Sequence, residues 1–489
     1  MEWIKTYFKL EERGTKISTE LVAGLTTFLA MAYILPVNTF MLSKAGLPMG
    51  GVFFATAVAA GIATLIMGLY ANLPIALAPG MGLNAFFVYT LVNFGAGLSA
   101  SAALSAVLVS GVLFFIISIT GLRKIVINSI PRGLKFAVGA GIGFFIAFIG
   151  FKNAGLVVSN PATLVQLGNL AHPTVLVGIF GIVLVFILHA MGNRFALIIS
   201  IVATAILGLL IGIILPNAMT QIVEYQTFDL ANYDYNVLLN KSAELFMMPK
   251  FDAFAFNEVF KGAGETFGLA FKGFGELFGS VSAFGIIFTL LFVDFFDTAG
   301  TLVAVGNEAG LVNEAGEFEG SDRALIVDSI GTMTGAILGT SNVTAYIESA
   351  TGIEQGARTG LSSVVVGILF LLSILIFPLL SIINGVTVGF DLYGDAIVYA
   401  PVTAMALVFV GALMIAQLKE IDWTDKAIVI PAFLTIVMMI LTFSIATGIA
   451  VGFIFYPIIK LAQGKAKEVN VVMYVLSILF VIFFIVGAV

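Results

Sequence analysis

The chain has 489 residues, of which 60% are hydrophobic and only 10% charged, a balance that excludes an ordinary soluble domain and marks a polytopic membrane protein. There is no cysteine, which removes disulfides, thiolate catalysis and cysteine-ligated metals; no metal site and no cofactor is expected. The formal charge of −6 is spread thinly, without the basic run that grips nucleic acid.

In chain order, Met1 to Lys16 is polar and charged, and the first apolar run after it is full length, so no cleavable signal peptide is read there. Lys5, Lys9, Arg13 and Lys16 predict a cytoplasmic N-terminus. Apolar segments follow at 20–43, 51–70, 74–95, 99–122, 134–154, 172–191 and 195–215. After a polar interval at 216–280 they resume at 281–305, 324–340, 341–358, 360–383, 398–417, 427–445 and 446–462. The expected fold is therefore an all-α membrane protein with about 14 crossings, seven and seven, plus a leftover run at 471–489 that either crosses again or lies against the bundle. Counted from a cytoplasmic start, Arg123, Lys124, Arg132, Lys135, Arg194, Arg358, Lys419 and Lys426 all fall inside. The interval 216–280, with four lysines against eight acids, falls outside. Lys460, Lys465 and Lys467 return inside only if 427–462 crosses twice, which places a break at Thr447–Gly448. An odd number of crossings in each half makes the second half enter from the opposite side, as an inverted repeat requires.

Between the halves, Phe260, Phe267, Phe271, Phe274 and Phe278 recur at helical spacing opposite Lys261, Glu265, Lys272 and Glu276, which predicts a helix in the outer interface. Five glycines within it leave an irregular packed loop as the alternative. His172 and His189 sit near the two ends of one apolar segment, where an interfacial or hydrogen-bonded role fits better than catalysis.

Asp294 and Asp297 interrupt the apolar run from Val281 to Val305. A charged residue at the centre of a bilayer costs about 2.5 to 3.5 kcal/mol on insertion scales, and such acids usually line a pathway or site. Three residues apart, the two lie on one helical face. Two further stretches cannot continue as regular helix. Leu73 to Asn84 carries Pro74, Pro79, Gly80 and Gly82, and predicts a short extended strand followed by a half helix. Gly339 to Gly352 is rich in hydroxyls, β-branched residues and glycines, and predicts the same, with Glu348 at the junction. One such break in each half matches the discontinuous helices on which transporters hold substrate near the midplane. Asp328 is a further intramembrane acid, read as an orienting neighbour as readily as a site residue.

At these residues the chain resembles the AzgA-like purine permeases of the nucleobase/cation symporter group, relatives in fold of the uracil and xanthine/uric acid transporters, and within them the bacterial guanine/hypoxanthine permeases. The resemblance runs nearly end to end and is carried by Ala23 to Tyr33, Ala78 to Phe86, Val293 to Leu302, Tyr346 to Ser349, Gly356 to Gly360 and Pro431 to Thr435. It implies a core domain (1–122 and 281–383), a gate domain (123–215 and 384–462), the outer interval 216–280 and a C-terminal apolar segment, 463–489. It further implies proton-coupled import of a purine nucleobase at the cell membrane, with a homodimer as an option. Carried over by motif, Asp294 and Glu348 hold the base, Asn84 supports transport, and Asp294, Asp297 and Glu348 handle the proton. Thr27 and Phe86, inside those motifs, and Thr344, in the second broken stretch, complete the expected substrate-binding set. Phe28, Phe86 or Tyr346 is expected to stack on the base. The competing readings are an adenine permease of the same family and an anion transporter of similar fold. An intramembrane aspartyl protease needs its two acids on different helices, which Asp294 and Asp297 do not satisfy, and a channel would be separated by its conduction rate.

Overall fold

The computed structural model describes residues 2–93, 96–120, 129–160, 162–193, 195–214, 225–229, 234–238, 253–280, 282–309, 320–379, 386–390 and 396–487. Its elements, in order, are α1 (Glu2–Tyr7), α2 (Ile17–Met31), α3 (Ile34–Ser43), α4 (Met49–Ile66), β1 (Leu77–Pro79), α5 (Met81–Ala85), α6 (Ala100–Thr120), α7 (Arg132–Asn153), β2 (Val157–Asn160), β3 (Leu164–Leu167), α8 (Pro173–Ala190) and α9 (Ala196–Ile214). The second half continues with β4 (Tyr225–Asp229), β5 (Asp234–Leu238), α10 (Ala253–Thr266), α11 (Phe274–Gly279), α12 (Ala283–Ala309), α13 (Ser321–Leu338), β6 (Val343–Ala345), α14 (Ser349–Glu354) and α15 (Gly360–Leu372). It closes with β7 (Val386–Phe390), β8 (Ala396–Tyr399), α16 (Pro401–Met414), α17 (Lys426–Leu441), α18 (Ile445–Ala462) and α19 (Val471–Gly487). Among the described residues eight helical stretches are long and apolar enough to cross a bilayer, and five shorter apolar helices accompany them. The molecule is a predominantly helical, multi-pass membrane protein.

Contacts divide the chain into two units. The first comprises Met1–Phe145, Asn257–Leu375 and Gly411–Val489. Its first crossing, expected over 20–43, is the single stretch Ile17–Ser43, made of α2 and α3 joined at a turn, Ala32–Tyr33. Pro36 is the cause: it has no N–H to return to the Ala32 carbonyl, which accepts from Leu35 instead at 3.2 Å. The α4 helix runs on through a wider π turn, Met67–Ala71, and ends on Asn72 in the left-handed conformation. Gly68 in that turn meets α15 backbone to backbone; a Cβ there would lie 2.5 Å from the Gly360 carbonyl oxygen.

The N-terminus of α15 is held by a buried carboxylate from α2. Glu20, fully buried, accepts from the N–H groups of Arg358 (2.8 Å), Thr359 (3.2 Å) and Ser362 (3.1 Å), the unpaired donors with which a helix begins. A negative group there also complements the helix dipole. Leaving a buried donor unsatisfied costs about 1 to 3 kcal/mol. Glu20→Ala is therefore expected to lower the thermal melting temperature of the purified protein clearly, with Glu20→Gln intermediate because its amide oxygen still accepts. A melt unchanged in Glu20→Ala would show that water replaces the carboxylate.

The interval before α12 departs from expectation. The aromatic pattern over 260–278 is not one interfacial helix but α10, a 3-10 turn at Leu269–Phe271 and α11, broken where Gly268 takes a φ of 70°. Glycines on both sides seat it on the bundle: a Cβ on Gly262 of α10 would strike the Gly51 nitrogen, and one on Gly50 of α4 would stand 2.5 Å from the Glu258 carbonyl oxygen. Phe260, Phe267, Phe271 and Phe278 face outward. Glu276 accepts from both the N–H and the hydroxyl of Ser99, just ahead of α6. These bonds hold its carboxyl below the ordinary value of 4.5. A depressed carboxyl stabilises above the unfolded value and loses that contribution as pH falls through the folded one. Hydrogen exchange at the Ser99 amide, corrected for its intrinsic pH dependence, is accordingly expected to lose protection only below pH 4.5.

Near the C-terminus the expected break at Thr447–Gly448 moves earlier, to Thr442–Ser444. Phe443 has a φ of 52°, and the Ser444 hydroxyl caps α18 by accepting from Thr447 N–H at 3.2 Å. The leftover run forms α19, which packs on α18 through the Ser477 hydroxyl to the Phe453 carbonyl, 2.6 Å, and the Phe453–Phe480 ring contact.

The second unit comprises Ile146–Phe256 and Ile376–Val410. It carries three antiparallel hairpins, β2–β3, β4–β5 and β7–β8, in the connections between its helices. His172 caps α8 by accepting from Thr174 N–H at 3.3 Å, and His189 sits edge-on to Phe409. Arg123, Lys124 and Arg194, used above for orientation, and three of the eight acids of the interval 216–280, Glu224, Glu244 and Asp252, lie outside the described residues.

Candidate functional site

Both broken segments lie in the first unit and complete each other. Pro74 and Pro79 bar a helix through that stretch, and β1 runs antiparallel to β6, with Leu77 opposite Ala345, Ala78 opposite Thr344 and Pro79 opposite Val343. Backbone at membrane depth must find partners within the protein. Here Gly80 N–H donates to the Asn342 carbonyl (2.9 Å) and Tyr346 N–H to the Ala76 carbonyl (3.0 Å). Hydroxyls satisfy the rest. Thr64 pairs with both the N–H and the carbonyl of Leu77, Ser349 accepts from Ala76 N–H, Ser363 donates to the carbonyls of Leu73 and Ile75, and Tyr346 donates to the Pro79 carbonyl at 2.6 Å.

The acids gather around this strand pair. Asp294, 1% exposed on α12, accepts at Oδ2 from the Thr332 hydroxyl (2.8 Å) and the Asn342 amide (2.9 Å). Asp297 stands one turn on. Its Oδ2 lies 3.8 Å from where a Cβ on Gly80 would stand, and Glu348 is its charged neighbour. Asp294 and Asp297 share a helical face, and both bear on the buried carboxyl of Asp328. Glu348, directly before α14, accepts at Oε1 from the Tyr33 hydroxyl at 2.6 Å. Asp297 and Glu348 are half-buried, whereas Asp294 is sealed.

The remaining expected residues fall close by, with different standing. Asn84, fully buried on α5, accepts at Oδ1 from the Ser341 hydroxyl, which ties the first break to the second. Thr344 shares a 2.6 Å hydrogen bond with Thr298, and its methyl occupies the place a side chain at Gly80 would need. Thr27 packs against Gly352 of α14, where a Cβ would strike its hydroxyl. Phe86 is fully buried and offers no open face for stacking. Phe28 is half-buried and edge-on to Phe370; Tyr346 is buried. Sequence reasoning missed Tyr33, Ser341, Asn342, Thr298 and Thr332 as partners. Thr298 and Thr332 were findable, since each stands four residues after an intramembrane acid, on the same helical face.

Residues 18–451 match the family model for xanthine and uracil permeases, described as the permease family. The chain belongs to that family. This permease is 43% identical to the guanine/hypoxanthine permease PbuG of Bacillus subtilis over 99% of each chain. It is also 38% identical to the adenine permease AdeP of Escherichia coli, over 98% of this chain and 95% of that one. Among solved structures it resembles the transmembrane domain of the cyanobacterial bicarbonate transporter BicA, with a TM-score of 0.53 and 16% identity, covering 88% of this chain and 97% of that one. It likewise resembles SLC26A9, with a TM-score of 0.55 and 10% identity, covering 94% and 67%. At those identities the likeness shows a shared fold. The permease is a transporter, not an enzyme.

Proposed function

We propose that this permease imports purine nucleobases, guanine and hypoxanthine before adenine, together with protons, across the cell membrane, with its N-terminus in the cytoplasm. The observation that carries the reading is the pairing of two broken segments, one from each half, with Glu348 and Asp297 half-open beside the junction. A purine base is planar, neutral and rimmed by N–H donors and N or O acceptors, so it needs a few convergent polar groups in an apolar cleft. Glu348, held by Tyr33, accepts from ring N–H groups; backbone N–H groups at the start of α5 serve the ring acceptors. Asn84 and Thr344 brace the strand pair from behind, and Thr27 seats α14. Asp294, Asp297 and Glu348 are the acids available to carry the proton.

In this reading the chain has fourteen crossings in a seven-plus-seven inverted repeat. A core made of 1–122 and 281–383 moves against a gate made of 123–215 and 384–462 to expose the site alternately. The antiparallel β1–β6 pair is what two inverted copies meeting at their breaks would form. Adenine transport is the second reading, favoured by the likeness to AdeP. Uptake of labelled hypoxanthine into cells stripped of their own purine permeases tests the proposal: accumulation is expected, and a protonophore should collapse it. Accumulation insensitive to the protonophore would remove the proton from the scheme, and no uptake of any purine would remove the scheme itself.

A further inference from the structure

The stretch from Glu2 to Lys16, a polar lead-in by sequence, is built into the first unit where both broken segments meet regular helix. Phe8 and Leu10 are buried in a small apolar cluster with Leu361 of α15, and Ile4, Ile17 and Val364 pack against it. The Tyr7 hydroxyl donates to the Leu69 carbonyl at 2.7 Å. Asn72, left-handed at a φ of 51°, donates from its side-chain amide to the Phe8 carbonyl at 3.2 Å and accepts from the Gly360 N–H at 2.8 Å. Arg13 donates through one guanidinium nitrogen to two carbonyls, Asn72 at 3.2 Å and Arg358 at 2.9 Å. The Thr15 hydroxyl donates to the Gly356 carbonyl at 3.2 Å.

These acceptors have a common place in the chain. Asn72 is the last residue before the first break, and 356–360 carries the second from α14 into α15. The β1–β6 pair joins the two segments at one point; the Arg13 guanidinium joins them at another. α14 needs such a tie, because it has only six residues and a first helical turn fixes more dihedrals than its hydrogen bonds repay. Its far end is closed by the Arg358 guanidinium on the carbonyls of Ile353 and Ala357, at 2.8 and 2.7 Å. The backbone of Arg358 is in turn fixed from two directions, its N–H by Glu20 and its carbonyl by Arg13. Glu348 stands at the start of the same helix. Tyr33 anchors one oxygen of that carboxylate, about which it can pivot unless the helix behind it is held. We propose that Arg13 is a positioning residue for Glu348: it holds the end of α14 and, through that short helix, sets where the carboxylate stands. The effect on substrate rests on the purine reading; the tie itself does not.

The test pairs two measurements on the full chain. In the purified protein without purine, deuterium exchange over 348–358 is expected to quicken in Arg13→Met, which keeps much of the side chain's length and loses its donors. Exchange should return toward the wild-type rate in Arg13→Lys, whose ammonium still donates. In cells, Arg13→Met should raise the KM for hypoxanthine roughly 10-fold, the scale of one hydrogen bond to a charged group, with little change in Vmax. Arg13→Lys should recover most of that loss. If Arg13→Met does not elute as a folded species, Thr15→Val, which removes only the bond to Gly356, decides by smaller shifts in the same direction. Unchanged exchange over 348–358 in folded Arg13→Met would overturn the tie. Faster exchange with an unchanged KM, or a fall in Vmax alone, would overturn the role at Glu348 and leave Arg13 a brace of the fold. Exchange behaving as expected with no purine uptake by the wild type would count against the transport reading and not against the tie.

Discussion

Replacing Asp294 with asparagine is expected to abolish accumulation of hypoxanthine while leaving its equilibration across the membrane. The amide oxygen still accepts from Thr332 and Asn342, the partners that position the carboxylate, so the local fold has what it needs. What is lost is the only part of the group that can carry charge through the cycle. One elementary charge moved through 100 mV is worth about 2.3 kcal/mol, which at 1.4 kcal/mol per tenfold corresponds to roughly 50-fold accumulation. In vesicles under an imposed gradient, the ratio of internal to external hypoxanthine should fall from that order to one. A variant that still concentrated its substrate as the wild type does would place the coupling elsewhere, with Asp297 and Glu348 next in line.

Guanine and hypoxanthine should compete strongly for uptake and adenine weakly. Guanine presents N1–H and its exocyclic amine side by side, and each carboxylate oxygen accepts more than one hydrogen bond, so Glu348 can receive both while retaining Tyr33. Hypoxanthine keeps the N1–H. Adenine turns an acceptor lone pair toward the carboxylate. Losing a hydrogen bond to a charged group costs roughly 1.5 to 3 kcal/mol, or about 10- to 150-fold in affinity. Uracil should be weaker still because it fills less of the cleft. Glu348→Gln should lose guanine affinity and narrow the gap to adenine, since an amide donates to N1 and accepts from the adenine amine. Adenine emerging as the best inhibitor of the wild type would favour the adenine-permease reading.

The breaks were legible because their cause is local. Prolines at 74 and 79 forbid a helix whatever surrounds them, and a carboxylate such as Glu348 inside an apolar run demands a reason. What closes the site was not legible, because those partners are chosen by packing. Nothing in the neighbourhood of Glu20 announces that it will cap a helix beginning 340 residues later, nor does Asn342 declare an interest in Asp294. Tyr33 was missed: the run 20–43 read as one segment despite Pro36, and nothing local shows the reach of its hydroxyl to Glu348. The glycines in the interval before α12 pointed to a broken helix, and the regular spacing of its phenylalanines masked that signal. The hairpins of the second unit were missed because strands of four or five residues leave too short a pattern to set against turn-rich surroundings.

The pairing of Leu77 with Ala345 also sets an order of events during biogenesis. Chains leave the ribosome at about 5 to 20 residues per second, so the first strand is made roughly 15 to 50 seconds before its partner exists. Through that time the backbone around Pro74 to Pro79 has no native mate, inside a membrane that punishes every unpaired amide. The nascent first half therefore lacks this pairing until synthesis has passed Ala345, and the β1 segment is completed only then. A chain truncated between the halves would be left holding that unmatched edge, and quality control has an early and specific feature by which to recognise it.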